Sequence, residues 1–298
     1  MSSYLELTAR ERIDRLFDAG SFVEFLPPSA RIVSPHLGQL DAPVSFDDGV
    51  IVGRALLAGA PVFAAAQEGG FMGGAVGEVH GAKLVGLLKR AVIEKIAAVV
   101  LLLETGGVRL HEANAGLIAV SEVMRAVLDA RAAGVAVITL AGGSNGVFGG
   151  MGIVARCTNA IVMSEEGRLA MSGPEVIETA GGVEEFDSRD RALVWRTTGG
   201  KHRYLLGDCQ AVVADSVIAF RQAAIDLVAA FRAQPTALTL QDLEQEQALL
   251  GQRIERFGAM SEPLDIWAAL GVEQPDAMPM LDAAEFMAAA GPHRMGGR

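Results

Sequence analysis

Leu140–Gly150, LAGGSNGVFGG, sets one hydroxyl among five glycines directly after the apolar run Val135–Thr139. Two chemistries suit such a stretch. Gly142-Gly143-Ser144-Asn145-Gly146 fits G-x-S-x-G, the sharp turn that exposes a serine nucleophile at the end of a strand, with His202 or His293 as its base. The other chemistry uses no side chain. Glycines let bare backbone N–H groups approach a substrate oxygen and form an oxyanion hole.

The rest of the chain weighs against the serine. G-x-S-x-G is short, and the chain holds 35 glycines, so chance matches are expected. No HGGG-type loop precedes it to complete a hydrolase site. The serine reading also leaves two further glycine loops without a role, Glu68–Gly74 (EGGFMGG) and Thr105–Arg109 (TGGVR). A backbone cradle uses all three. Glycines at a helix N-terminus offer unpaired N–H groups in a favourable dipole field. Two such loops on neighbouring strands can each aim one N–H at a single oxygen, an arrangement suited to a thioester enolate. The competing reading is that the glycines only let helices pack closely on strands.

Other motifs carry less. Gly150–Ala155 fits G-x-G-x-x-A but lies ten residues past its strand, too far for a turn onto a pyrophosphate. No G-x-x-x-x-G-K-[ST] occurs, and His111-Glu112 lacks the second histidine of a zinc-protease helix. Cys157 and Cys209 are too few for a four-cysteine zinc site or a disulfide framework, so no metal is expected. His80 reads as a packing or capping residue.

The elements that must position these loops repeat. GVIVGRALLAGAPVFAAAQ (49–67) reads as two strands, followed by a glycine loop and a helix to about Lys95. The apolar run 97–104, TGGVR, and a helix from about His111 to Ala133 form the next unit. VAVIT, the third loop and a helix to Cys157 form another. The strands end near Gln67, Glu104 and Leu140, a period of roughly 37 residues. Fully apolar strands joined by helices predict a parallel sheet buried on both faces, with every glycine loop at one edge. Thr8 followed by Glu11 predicts a capped helix over Thr8–Ala19. AIVM (160–163) and RLAM (168–171) read as short strands, and Pro174 as the first residue of a helix. Gly181–Gly207 reads as a polar surface loop or lid, Asp208–Phe231 and Leu240–Phe257 as helices, and the chain loses periodicity from Glu273.

Composition narrows the class. The chain has 298 residues, 51% of them hydrophobic and 20% charged, enough apolar mass for one large α/β core. A net charge of −11 without a Lys/Arg cluster excludes a nucleic-acid binder. MSSYLELTARERIDRLF has no apolar centre and is no signal peptide, and no uncharged run approaches the roughly 18 residues of a membrane span. These features predict a cytoplasmic protein.

VAVITLAGGSNGVFGGMGIVARCTNAIVM, with LLLETGGVRL before it, resembles the crotonase superfamily, and most closely its acyl-CoA carboxyltransferase branch. DGVIVGRALLAGAPVFAAAQEGGFMGGAVGEVHGAKL resembles that branch's opening, and GRLAMSGPEVIE its later strand and helix. The resemblance covers roughly residues 46–205. It implies a crotonase-like ββα spiral over 46–231, preceded by an N-terminal helix and irregular segment (1–45) and followed by a helical extension (232–298). The chain lacks both a zinc ribbon and an A-M-K-M biotin site, and has room for only one crotonase-like half. Within the branch it is most similar to the β-subunit family of biotin-independent malonate decarboxylases. That resemblance implies a second, γ-type crotonase-like subunit as partner, and decarboxylation of a malonyl thioester. The substrate would be carried on the dephospho-CoA-type prosthetic group of an acyl carrier protein, with no cofactor bound covalently to this chain. It implies oxyanion donors in Gly106, Gly107, Val108, Gly149 and Gly150, and substrate contacts at Gly73, Gly74, Arg109, Phe148 and Met151. Val108 departs from the alanine of the usual GGAR loop, a change that an N–H contact tolerates. A carboxyltransferase subunit of an acyl-CoA carboxylase remains the alternative, with a serine hydrolase using Ser144 behind it.

Overall fold

The computed structural model describes residues 2–296. Helix α1 (Ala9–Leu16) begins at Thr8, whose hydroxyl accepts the Glu11 N–H while the Glu11 carboxylate accepts the Thr8 N–H. After a two-residue edge strand β1 (Val23–Glu24) comes the hairpin of β2 (Val50–Leu57) and β3 (Ala60–Gln67). Its two turn residues, Ala58 and Gly59, have φ of 50° and 76°, the left-handed pair that a tight hairpin requires. Then strand and helix alternate: α2 (Glu78–Ile93), β4 (Ala98–Leu102), α3 (Asn114–Ala132), β5 (Ala136–Ala141), α4 (Gly150–Cys157) and β6 (Ala160–Ser164). Helices α5 (Pro174–Gly181), α6 (Arg191–Thr198) and α7 (Gly200–Leu205) lead to β7 (Ala211–Val213). The chain finishes with α8 (Val217–Ala233), α9 (Leu240–Phe257), α10 (Pro263–Ala269) and α11 (Ala283–Ala290).

The seven strands lie in chain order in one sheet. β1, β2 and β3 pair antiparallel, and β3 through β7 pair parallel. Alternate residues of each parallel strand enter opposite cores. Val99 and Leu101 join Val137, Ile161 and residues of α2, α3 and α4 on one face. Ala98, Val100 and Leu102 join Ile138, Leu140, Val162 and the inner residues of α1 and α8 on the other. Each fully buried Val or Leu contributes about 1.5–3 kcal/mol, so a polar residue in β4 or β5 would remove a large part of a domain's net stability. The C-terminal elements also pack into the first core, through Phe257, Trp267, Met278 and Phe286.

Beyond their C-terminal ends the parallel strands form a second, smaller layer of single-residue pairings. Val76 pairs with Val108, Thr105 with Val147, Val147 with Leu169, and Arg168 with Gly199. Each unit is therefore strand, short second-layer strand, helix: the crotonase-like ββα spiral.

Four sequence expectations change here. RLAM is no regular strand; Arg168 and Leu169 make only isolated pairings of the second layer. Residues 191–205 are two helices rather than a loop, because Val194, Tyr204 and Leu205 bury apolar side chains while the charged residues between them face outward or pair. The start of the expected Asp208–Phe231 helix is strand β7, whose Ala211–Val213 completes the sheet beside β6. The stretch after Glu273, where the sequence loses periodicity, still forms helix α11, entered through the carboxylate cap of Asp282, as α10 before it is entered through Glu262.

Candidate active site

The loops after β3, β4 and β5 stack on one another at the C-terminal edge of the sheet. The Gly106 N–H donates to Gly73 O (2.8 Å), Thr105 N–H to Gly146 O (2.8 Å) and Phe148 N–H to Thr105 O (2.9 Å). The first loop fits only because Gly74 has no side chain. Its φ is +69°, and a Cβ there would fall 1.9 Å from Glu104 O.

Gly107 and Gly149 bring the second and third loops into contact. Both have positive φ, 129° and 62°. A Cβ on Gly149 would lie 3.1 Å from the Gly107 Cα and 4.0 Å from the Val108 N, filling the gap between the loops. Several N–H groups around this gap are engaged. Gly106 donates to Gly73 O, Gly107 to the Thr105 hydroxyl (3.0 Å), Arg109 to Val76 O (2.9 Å) and Gly149 to Met171 O (2.9 Å). The N–H groups of Val108, Gly150 and Met151 have no acceptor among the described residues. Gly150 and Met151 open α4, where the first turn leaves N–H groups without partners and the helix dipole favours negative charge. One unpaired donor on the second loop thus stands across the gap from two on the third.

Of the side chains singled out above, Arg109 is fully buried. Its Nη1 lies 3.1 Å from Asp48 and 2.7 Å from Glu112, and its guanidinium sits over the Phe71 ring. Gly77 makes room for this ion pair, since a Cβ there would meet Arg109 Nη1 at 2.4 Å. Burial raises the Asp48 pKa despite Arg109 beside it. Burial also acts to raise the Glu112 carboxyl, but the Glu78 N–H and Arg109 outweigh it and leave the pKa below its usual range. His80 completes this scaffold. Its Nδ1 faces Asp48 O (3.1 Å) and its Nε2 faces the Gln67 amide (3.1 Å). Burial, reinforced by Arg109, lowers its pKa to about 3, so the ring is neutral. Phe148 and Met151 are buried behind the third loop, Phe148 beneath the guanidinium of Arg168.

Ser144 has no histidine bonded to it among the described residues. Its hydroxyl donates to the Glu104 carboxylate at 3.0 Å. His202 instead accepts the Trp267 indole N–H (3.0 Å) in the core, where burial lowers its pKa to about 3. Glu104 also accepts the Asn145 backbone N–H (3.1 Å) and side-chain amide (3.2 Å), and pairs with Arg12 of α1. Sequence reasoning passed over Glu104, Arg12 and Asp48. The available signal was a carboxylate closing the apolar run VVLLLE, because an ionisable group at the end of a buried strand requires a partner.

A spiral of ββα units with unpaired N–H groups at adjacent loop tips defines an enzyme class that binds an acyl oxygen by its backbone. Residues 5–214 match the family model described as carboxyl transferase domain, and the chain belongs to that family. It is 41% identical to malonyl-S-ACP:biotin-protein carboxyltransferase MADC of Malonomonas rubra, over 97% of this chain and 95% of that protein. It is 37% identical to a chain in the crystal structure of a Pseudomonas malonate decarboxylase hetero-tetramer in complex with malonate, with a TM-score of 0.77 and 97% of each chain covered. The propionyl-CoA carboxylase β chain of Saccharopolyspora erythraea is 33% identical over 67% of this chain, but the match spans only 36% of that longer protein.

Proposed function

We propose that this chain is the subunit of a malonate decarboxylase that handles the malonyl thioester. It positions malonyl-S-acyl carrier protein and stabilises the enolate left when CO₂ departs. The observation that carries this reading is the gap between Gly107 and Gly149, with the unpaired N–H of Val108 on one side and those of Gly150 and Met151 on the other.

The reaction needs little else from this chain. The bond between the α-carbon and the carboxylate breaks, CO₂ leaves, and the electron pair moves through the α-carbon onto the thioester oxygen. Fixed donors aimed at that oxygen lower the barrier, and each is worth roughly 10²–10³ in rate. A proton then reaches the α-carbon and gives the acetyl thioester. In this scheme Val108, Gly150 and Met151 supply the donors. Gly107 and Gly149 keep the gap open, Gly106 and Gly73 tie the loops together beside Gly74, and Phe148 backs the third loop. Arg109 is a positioning residue, since its guanidinium is engaged by Asp48 and Glu112.

Relatives that carry a carboxyltransferase in a longer chain extend well past the matched half, and the similar Pseudomonas structure is a hetero-tetramer. These two facts support a second carboxyltransferase-like subunit as the partner and the source of the proton. We assign the thiol to the dephospho-CoA-type arm of an acyl carrier protein, and the protein to the cytoplasm, a placement consistent with Cys157 and Cys209 forming no disulfide. We take 46–231 as the carboxyltransferase unit, with 1–45 and 232–298 as its attachments.

A second reading rests on the name of the Malonomonas relative: the carboxyl group passes to a biotin protein instead of leaving as CO₂. Both readings form the same enolate. The test is CO₂ release from malonyl-S-acyl carrier protein by the chain coexpressed with its partner, with and without avidin. Avidin-resistant turnover that requires both subunits is expected. Avidin-blocked turnover selects biotin transfer, and full turnover by the purified monomer refutes the two-subunit site.

A further inference from the structure

One buried carboxylate outside the chemistry above reaches all three glycine loops. Glu104 stands between β4 and Thr105, and its own N–H donates to the Gln67 side chain at the end of β3 (3.0 Å). Its Oε1 accepts the Ser144 hydroxyl (3.0 Å), the Asn145 N–H (3.1 Å) and the Asn145 side-chain amide (3.2 Å). The same amide donates to Gly69 O in the first loop (3.1 Å). Glycines enclose the group. A Cβ at Gly69 would fall 2.4 Å from both Glu104 Oε1 and the Asn145 Nδ2, and one at Gly143 would fall 2.4 Å from the Glu104 carboxyl carbon. Asn145 therefore joins the third loop to the first directly, and to the base of the second through Glu104.

The other carboxylate oxygen pairs with Arg12, whose buried guanidinium lies over the Tyr4 ring and also donates to Tyr4 O (3.1 Å) and Leu5 O (3.2 Å). Asp215 in turn accepts the N–H groups of Tyr4 and Leu5, at 2.9 Å each. A second contact runs from the Ala9 N–H, in the first turn of α1, to the Glu68 carboxylate at the start of the first loop (3.0 Å). The N-terminal segment is thus a fixed support for the loops. An apolar pair of similar volume would often stabilise a fold as well as a buried ion pair does. What the charged group adds is direction, because charge-assisted bonds hold both carboxylate oxygens in one orientation.

Past Asn145 the third loop has little shape of its own. Gly146 and Gly149 have φ of 67° and 62°, and a glycine in this region is a swivel point. Between them the chain bonds only to other loops: Gly146 O and the Phe148 N–H to Thr105, and the Val147 N–H to Arg168 O. The unpaired N–H groups of Gly150 and Met151 follow directly. We propose that Asn145 is a positioning residue: acting through Glu104 and Arg12, it sets where the N–H groups of Gly150 and Met151 stand relative to that of Val108. The consequence for rate rests on the function proposed above. A displacement of about 1 Å at such donors costs roughly a hundredfold.

The test compares Asn145→Ala and Asn145→Asp with the parent, each coexpressed with the partner, by steady-state kinetics and by hydrogen–deuterium exchange. Asn145 is half-buried, so both variants keep the core intact. In Asn145→Ala, kcat for malonyl-S-acyl carrier protein should fall about ten- to hundredfold while KM stays within about twofold. Exchange at the bonded N–H groups of Val147, Phe148 and Gly149 should quicken, with α2 and α3 unchanged. Asn145→Asp keeps the shape, loses the amide donors and faces Glu104 with like charge, so it should be no more active than Asn145→Ala. Ser144→Ala, whose hydroxyl reaches Glu104 but no other loop, is the control and should exchange like the parent. Unchanged exchange at 147–149 in Asn145→Ala overturns the inference whatever the kinetics. Quicker exchange with normal kcat overturns it too, as does a rise in KM alone or full turnover by Asn145→Asp. A parent assembly that never decarboxylates sinks the proposed function alone, and the exchange measurement still decides the role of Asn145.

Discussion

The two loops that meet at Gly107 and Gly149 are held in opposite ways. The 105–109 loop is fixed by buried charge: Arg109 lies between Asp48 and Glu112, with neutral His80 bonded to Asp48 O. The 142–150 loop is fixed mainly by absence of bulk. A Cβ would be 2.6 Å from the Phe148 ring at Gly146, 3.1 Å from Gly107 Cα at Gly149 and 2.6 Å from the Val120 side chain at Gly150. Its one buried anion, Glu104, sits at the other end, beneath Ser144 and Asn145. Damage to the first loop should therefore appear as lost stability, and damage to the second as lost rate.

The largest effect tests the charged scaffold. Arg109→Met removes the cation and leaves two carboxylates buried beside each other, which should cost about 3–5 kcal/mol of unfolding free energy. Arg109→Lys should recover little of it, because a point charge cannot bridge Asp48 and Glu112 as the planar fork does. Urea denaturation of the purified chain measures both. A loss below about 1 kcal/mol would show that the scaffold is not what fixes the first loop.

The next effect belongs to the third loop. Gly149→Ala places a methyl in the gap beside the Val108 N–H and should lower kcat by roughly 10²–10³. Its positive φ adds strain of about 1–3 kcal/mol, so the protein stays folded. Gly150→Val should behave alike, pressing on Val120, whereas Val108→Ala keeps its N–H and should be mild. If Gly149→Ala assembles with the partner and turns over normally, the glycines serve packing only.

Acid should separate the two scaffolds. His80 titrates near 3 when folded and near 6.5 when unfolded. Protonation thus favours the unfolded chain: this contribution is complete above pH 6.5 and is lost as pH falls from 6.5 toward 3. By pH 5 the loss is roughly 2 kcal/mol for each such histidine, and His202 adds the same. The third loop carries no such group among its bonded partners. Stability should therefore fall between pH 7 and 5, and His80→Gln should flatten the slope by close to one proton. An unchanged slope would place the acid sensitivity elsewhere.

The order of these effects also explains what the sequence made legible. The strands, helices and glycine loops were readable because β4 and β5 are apolar on both sides and their period is regular. Which N–H groups remain free was not readable. Gly106 and Gly107 look alike in GGVR, yet the N–H of each bonds inside the loops while that of Val108 does not. That outcome depends on Gly73, which the loop after β3 brings in, and on the Thr105 hydroxyl two residues before Gly107, neither of which the glycine pair itself reveals. RLAM failed as a strand for a related reason, since alternation alone cannot distinguish a ladder from the isolated pairings of Arg168 and Leu169. Trp195 and Arg191 were read as loop residues because the helix carrying them has only a narrow apolar face.

The smallest expected effect decides the oldest ambiguity in the sequence. Ser144 occupies the nucleophile position of G-x-S-x-G, yet its hydroxyl donates to Glu104, an anion that accepts the proton as a hydrogen bond but has no histidine to pass it to. Ser144→Ala removes one of several donors to that carboxylate, while Arg12, the Asn145 N–H and the Asn145 amide remain. The cost should be about 1 kcal/mol of stability, and kcat should stay within about twofold of the parent enzyme. A fluorophosphonate probe should leave Ser144 unlabelled in the assembled enzyme. Glu104→Gln sharpens the point: it weakens the bonds to Ser144 and Asn145 and leaves Arg12 without its counter-charge, so it should cost more than Ser144→Ala. The opposite ranking, with Ser144→Ala abolishing turnover and stoichiometric labelling at Ser144, would make the third loop a nucleophile elbow. The contrast between a charged first scaffold and a backbone-lined second one would then collapse.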